Sequence, residues 1–203
     1  MTTSLPFEKV QQIAALLDGT ARPLGEESSN ERYYITLAGG ESIFIAGSSR
    51  ARRGRVSVSG GQWPTYTDTG GRVCSQWPHV TWVSDQKLTA PEITCADSKP
   101  AEQIAKDIQR RFLPDFLTVW GHCKDAADKN AAYVTGKARA VQDFATTTGG
   151  EIGGSGDCVF FRRGRLKYVR DVGHNDLGKE VTYDIELSDI TLVELTAIMK
   201  VLK

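Results

Sequence analysis

The chain has 203 residues, 40% hydrophobic and 25% charged, the proportions of an ordinary globular protein, which excludes wholesale disorder and any fibrous or mucin-like composition. Lys plus Arg number 25 and Asp plus Glu number 25, so the net charge is zero. That balance rules out a uniformly basic nucleic-acid coat and a uniformly acidic nucleic-acid mimic, and any charge effect must be local. No run approaches the roughly 18 apolar residues of a membrane span. The opening Met1-Thr2-Thr3-Ser4 lacks the basic and apolar regions of a signal peptide. The expectation is a cytoplasmic protein with no membrane contact.

Leu5 to Asp18 places Phe7, Val10, Ile13, Ala14 and Leu17 on one helical face, with Ser4 as N-cap and Gly19 as C-terminal stop. Ala21 to Asn30 is polar and turn-rich. The period then changes to two. Tyr33, Ile35 and Leu37 alternate with Tyr34, Thr36 and Ala38, Gly39-Gly40 intervenes, and Ser42 to Ala46 is apolar again, the pattern of a β-hairpin. Further strands are expected at Arg55 to Ser59, His79 to Val83 and Glu92 to Cys95, spaced as in an antiparallel sheet. Between them Gln62 to Pro78 reads as a loop or edge meander, because the Trp63-Pro64 and Trp77-Pro78 steps hold each tryptophan extended.

Ser98 is positioned to cap a helix that has Pro100 and Glu102 in its first turn and Ala101, Ile104, Ala105, Ile108 and Phe112 on one face. Asp107 and Arg111 read as an i, i+4 pair on its solvated side. Pro114 interrupts it, and a second helix runs from Pro114-Asp115 toward Phe144 or Thr147 with the stripe Phe116, Trp120, Cys123, Ala127, Ala131, Val134, Ala138, Val141 and Ala145. This stripe is narrow and alanine-rich, and its spacing fits either packing within the molecule or pairing with another chain.

Gly149 to Gly156 reads as a linker and not as a phosphate loop, since a helix precedes it and strands follow. Those strands are Cys158 to Phe161, Leu166 to Val169 and Val181 to Leu187, after which the capping box Thr191-Leu192-Val193-Glu194 opens a helix with Leu195, Ile198, Met199 and Leu202. Segregated strand and helix runs imply an α+β fold: antiparallel β segments flanking a long central helical pair, with short N- and C-terminal helices. The expected regions are 1–97, 98–148 and 149–203, within one compact domain.

The same tetrapeptide occurs twice, Arg52-Arg53-Gly54-Arg55 and Arg162-Arg163-Gly164-Arg165, each between two apolar strand-like runs. Arg50 extends the first and Lys167 and Arg170 the second. Each reads as a hairpin tip, with glycine making the turn and arginines projecting. The guanidinium fork suits phosphates, and the alternatives are an acidic protein surface or charges that only protect sheet edges from aggregation. Trp63, Tyr66, Trp77 and Trp82 lie near the first loop in sequence, where they would stack unpaired bases or serve as core and edge packing. Lys106, Arg110 and Arg111 extend the basic possibility.

Cys74, Cys95, Cys123 and Cys158 are far apart, with no ligand spacing for zinc, and Cys95, Cys123 and Cys158, each in or beside an apolar run, read as buried thiols. A Cys/His pair would need His79 or His174 brought in from elsewhere, because His122 and Cys123 point apart on a helix. No cofactor, no metal site and no catalytic residue is expected. A divalent-metal nuclease or hydrolase, using Asp157, Asp171, Asp176 and Asp184, is the enzymatic alternative.

Glu92-Ile93-Thr94-Cys95 followed by Ile104-Ala105-Lys106-Asp107-Ile108-Gln109-Arg110-Arg111-Phe112-Leu113-Pro114 resembles a strand-then-helix signature in small bacteriophage and mobile-element proteins that have no agreed activity. The resemblance runs from Glu92 to roughly Phe116, about an eighth of the chain. It implies an accessory protein that binds nucleic acid or a host nucleoprotein complex, including as a defence-system inhibitor such as an anti-CRISPR. The sequence-based expectation is therefore a non-enzymatic binder acting through the arginine loops. The alternative is an oligomeric assembly protein that self-associates through residues 114–144.

Overall fold

The structure, a computed structural model, describes residues 5–25, 31–47, 54–83, 85–153, 159–161, 164–170, 182–187 and 191–193, with the backbone alone for 148, 161, 164–170 and 182–187. The fold is α+β. The chain divides into two units, Met1–Thr65 with Ser75–Ala127, and Tyr66–Cys74 with Asp128–Lys203. In chain order come α1 (Phe7–Leu16), β1 (Gly19–Pro23), β2 (Arg32–Leu37), β3 (Ser42–Ala46) and β4 (Arg55–Gly60). A short hairpin, β5 (Thr65–Thr67) with β6 (Val73–Ser75), and a short ribbon, β7 (Trp82–Val83) with β8 (Gln86–Lys87), precede β9 (Glu92–Ala96). Then follow α2 (Ala101–Arg111), α3 (Leu113–Thr148), β10 (Glu151–Ile152), β11 (Val159–Phe161), β12 (Gly164–Arg170) and β13 (Thr182–Leu187).

In the first unit the strands pair antiparallel in the order β1-β2-β3-β4-β9. Strand alternation sends successive residues to opposite faces, and the register Tyr33↔Ile45, Ile35↔Ile43, Ile45↔Val58 and Val56↔Cys95 gathers the apolar set on one of them. All of these residues are buried. Val10, Ile13 and Ala14 of α1 and Ile104, Ala105 and Ile108 of α2 join them in one core, with Phe112 and Phe116 at the α2–α3 junction. Full burial of each large side chain contributes roughly 1.5–3 kcal/mol. Phe112 stacks on Phe116 at 5.0 Å and Phe116 meets the Trp63 ring edge-on at 5.8 Å.

Two glycines give this sheet its close contacts. A Cβ at Gly60 would collide with the Trp63 ring, and one at Gly61 would stand 2.8 Å from Ser42 Oγ and 2.9 Å from Tyr34 Cδ1. Bare backbone at these two positions therefore lets a tryptophan and a tyrosine lie across the strand.

Several sequence expectations change. Pro6 and Pro100 occupy the N-cap positions of α1 and α2 without any side-chain cap bond; Ser4 lies outside the described residues. Asp18, at φ 53°, takes the left-handed position after α1. Gly19 instead begins β1, an edge strand missed in the polar stretch because only its Gly19 and Ala21 are even half-buried. Residues Pro78–Val80 form a 3-10 turn, and Trp82–Val83 pairs only with β8, so His79 to Val83 is no strand of the main sheet. Asp107 is buried and bonded to Lys99, not paired on a solvated face.

In the second unit β10-β11-β12-β13 form a separate antiparallel sheet. β10 falls inside the stretch read as a linker, of which residues 154–156 are outside the described set. Val141 and Ala145 of α3 pack with Val159, and Phe144 is half-buried against them. The α3 stripe is buried at Phe116, Cys123, Ala127, Val141 and Ala145, but Ala131 and Val134 are only half-buried and Ala138 is exposed. In the β5–β6 hairpin Asp68 Oδ1 accepts the Gly70 and Arg72 amides, each at 2.9 Å, and Gly71 sits at φ 77°. Beyond Val193 the expected C-terminal helix lies outside the described residues.

Phe112→Ala is expected to cost about 3–5 kcal/mol, because it removes a fully buried ring at the point where two helices and the sheet meet. Denaturant unfolding followed by tryptophan fluorescence measures it, and a loss below about 1 kcal/mol would contradict this account of the core.

Candidate nucleic-acid interface

The first Arg-Arg-Gly-Arg run lies in the loop joining β3 to β4, and both roots of that loop are pinned by backbone bonds. The Gly47 amide donates to the Glu31 carbonyl at 2.8 Å, and the Asp97 amide donates to the Gly54 carbonyl at 3.1 Å. Gly54 has φ 70°, a conformation glycine adopts without strain. Arg50, Arg52 and Arg53 lie outside the described residues. Arg55 is exposed on β4, and its guanidinium donates to Thr94 Oγ1 of β9 from Nε at 3.0 Å and from Nη2 at 2.7 Å. This contact is diagonal across the ladder, since the register sets Ser57 opposite Thr94 and Arg55 opposite Ala96.

The second run spans the β11–β12 turn. Phe161 pairs with Gly164, and Arg162 and Arg163 between them lie outside the described residues. On β12, Arg165 stands opposite Glu186 and Arg170 opposite Thr182 in register, while Lys167 falls at an irregularity between Leu166 and Tyr168. The first loop belongs to the first unit and the second to the second.

The aromatic candidates separate. Trp63 is core, 5% exposed, and Tyr66 is half-buried, whereas Trp77 and Trp82 are 45% and 61% exposed. Lys87 lies over the Trp82 ring at 5.2 Å, and the His79 ring is 6.2 Å from that of Trp77. The segment carrying them leaves the sheet after Gly60 and returns at Glu92, the end of the β4–β9 ladder opposite Arg55. Lys106, Arg110 and Arg111 are exposed on α2. Sequence position alone did not separate Trp63 from Trp77; the space at Gly60 does. Arg22 and Arg32 were not singled out, yet the period-two register puts both on the same sheet face as Arg55.

The titratable groups nearby are structural. Lys99 Nζ donates to Asp107 Oδ2 at 2.6 Å, and this bond holds the Asp107 carboxyl below the usual range against the opposing effect of burial. Burial, reinforced by the Asp107 charge, raises the Cys95 thiol. Burial also raises Cys123, whose sulfur faces Thr81 Oγ1 at 3.6 Å and not a histidine. Both thiols are therefore held protonated, the opposite of what a nucleophile needs. Cys158, His174, Asp157, Asp171 and Asp176 lie outside the described residues, and Asp184 sits opposite Tyr168 in the β12–β13 register. Among the described residues no three or more His, Cys, Asp or Glu side chains gather as a metal ion requires. No helix among them is long and apolar enough to cross a membrane. Compared with protein-family models, curated proteins and solved structures, the chain matches none.

Because the folded-state Asp107 ionises more readily than in the unfolded chain, its contribution is present above the ordinary aspartate value and lost as pH falls through the folded value. Asp107→Asn is expected to cost about 1 kcal/mol at pH 7, since Lys99 is partly solvated and screened, or about 2–4 °C in Tm. Melts from pH 7 down to pH 3 should show the gap between the two proteins closing below about pH 4. A gap independent of pH would mean that the carboxylate charge is not what Lys99 engages.

Proposed function

We propose that the chain is a non-enzymatic binding protein of phage or mobile-element type, whose two arginine hairpins dock on nucleic acid or on a host nucleoprotein complex. Interference with a nucleic-acid-directed defence system is the setting that the resemblance implies. The observation that carries this reading is positional. Both copies of the repeated tetrapeptide fall where one antiparallel strand turns into the next, β3 to β4 and β11 to β12. Ladder bonds fix the strand ends from which each loop springs, so the loop roots need no ordering when a partner arrives. Arginine suits the task because its planar fork bonds phosphate oxygens in pairs and gives up its hydration more readily than an ammonium.

Reversing charge at Arg52, Arg53, Arg162 and Arg163 is expected to abolish binding of labelled single- or double-stranded DNA or RNA, read by fluorescence anisotropy, while Tm moves by no more than a degree or two. Wild-type binding should weaken steeply from low to physiological salt. Wild-type protein that binds none of the four nucleic acids, or a reversal variant that binds normally, refutes direct phosphate contact.

A second reading, self-association through α3, draws on the exposure of Ala138 and partial burial of Ala131 and Val134 along the stripe. It requires that sedimentation coefficients rise with protein concentration and that Val134→Glu suppress the rise. A concentration-independent monomer removes it.

A further inference from the structure

The five-stranded sheet has two unlike faces. Within the first unit the helices and Trp63 join the apolar face. The opposite face carries arginine, hydroxyl and aromatic side chains, exposed at Arg22, Arg32 and Arg55 and half-buried at Tyr34 and Phe44.

The register builds this outer face directly. One row across the sheet reads Arg22↔Tyr34↔Phe44↔Ser59↔Glu92, and the next places Arg32 opposite Ala46. Tyr34 and Phe44 are directly opposed on the central strands, ring centroids 5.6 Å apart and tilted by 57°. The Tyr34 ring leans toward the bare backbone at Gly61, where a Cβ would stand 2.9 Å from it. Arg22 lies over that ring, 4.8 Å from its centroid. On the far flank Arg55 is anchored by two donors on Thr94, which leaves its Nη1 donors for another acceptor. Arg22, Arg32 and Arg55 are all exposed, and among the described strand residues Glu92, at the far edge, is the one carboxylate on this face. Three arginines thus share one sheet face with two aromatic rings, one of them seated over the Tyr34 ring, and hydroxyls and alanines line most of the remainder.

We propose that this outer sheet face binds single-stranded nucleic acid, with unpaired bases stacking on the Tyr34–Phe44 pair and phosphates held by Arg22, Arg32 and Arg55. The proposal rests on the nucleic-acid reading above and narrows it to strands with accessible bases. The chemistry fits each part. Every base has a flat π-face, so an aromatic pair takes any sequence, and a guanidinium plane stacked on an aromatic ring offers a second such surface. Two of the three arginines are already held, one over a ring and one on a threonine, so little side-chain freedom remains to be lost when a phosphate arrives. A duplex hides its base faces in the stack and offers only phosphates. An acidic protein surface would satisfy the arginines but has no special use for the aromatic pair.

The test compares oligothymidylate, oligouridylate and a duplex of equal length by fluorescence anisotropy at low salt. Wild-type protein should prefer the single strands. Tyr34→Val with Phe44→Val, which keeps strand-compatible side chains, should weaken single-strand binding about fivefold or more and leave duplex binding within about twofold. Arg22→Gln, at an exposed position, should weaken single-strand binding without altering Tm. Photo-crosslinking of a 5-iodouridine strand to wild-type protein should give adducts on Tyr34 or Phe44, a readout independent of how the variants fold. Adducts confined to other residues, equal wild-type affinity for strand and duplex, or a folded double variant with wild-type single-strand affinity each overturn this proposal while leaving the arginine hairpins standing. Wild-type protein that binds no nucleic acid fails the parent reading itself, before any variant is compared.

Discussion

Five antiparallel strands put Ile35, Ile43, Ile45, Val56 and Val58 on one side of a sheet, and the need to keep that side from water governs the rest of the first unit. α1 and α2 come from opposite ends of the unit's sequence and meet on it, while Phe112 and Phe116 extend the same core into α3. Because side chains alternate with a period of two, a slip of one residue would expose the whole apolar set. Trp63 over Gly60 on one face and Tyr34 beside Gly61 on the other resist such a slip from both sides. Once one face is committed to the core, the other is released from packing duty and can carry arginines and hydroxyls without loss of stability.

The polar contacts of the first unit concentrate at the end of the sheet where the basic loop emerges. Glu31 accepts the Leu5 amide at 3.0 Å, the Tyr33 hydroxyl donates to the Leu5 carbonyl at 3.1 Å, and Lys9 donates to the Asp97 carbonyl at 2.7 Å. The approach to α1, the start of β2 and the exit of β9 are thereby joined in one network, and Glu31 and Asp97 also bond the loop roots at Gly47 and Gly54. Net gains per bond of about 1 kcal/mol are modest, but they fall on one small region. An arginine loop that springs from so fixed a base can vary in sequence without disturbing the sheet beneath it.

Much of this architecture was legible in the residues. Apolar periodicity placed α1, α2 and α3, and the alternation around Gly39-Gly40 placed β2 and β3, because each of these elements buries one face and so writes its period into the chain. β1 and β10 write no such period: Thr20 and Arg22 are exposed, and so are Glu151 and Ile152, so both strands are held by ladder bonds more than by burial. The Asp107–Lys99 bond was hidden for another reason, since Arg111 offered a plausible partner at helical spacing and the true one precedes the helix. Of the site, the arginine tetrapeptides were evident as a repeat. Arg22 and Arg32 were not, because their kinship with Arg55 depends on which strands are neighbours, and neighbour order is a property of the sheet and not of any local window.

Zero net charge also limits how a nucleic acid can be held. Three outer-face arginines neutralise at most three phosphates, and for single strands that makes the electrostatic part of the affinity fall about 20-fold for a fourfold rise in salt. Such a contribution is too small to retain a partner at physiological ionic strength by charge alone, and a chain with equal numbers of cations and carboxylates adds no net attraction at a distance. Contacts that do not weaken with salt must supply the remainder. Base stacking is one of them, and in the proposed complex the Tyr34–Phe44 pair, with Arg22 over the tyrosine ring, would provide it. On the proposed reading the hairpin arginines would raise encounter and set orientation, while the aromatic pair would set the preference for unpaired bases, a division of labour suited to a chain without overall positive charge.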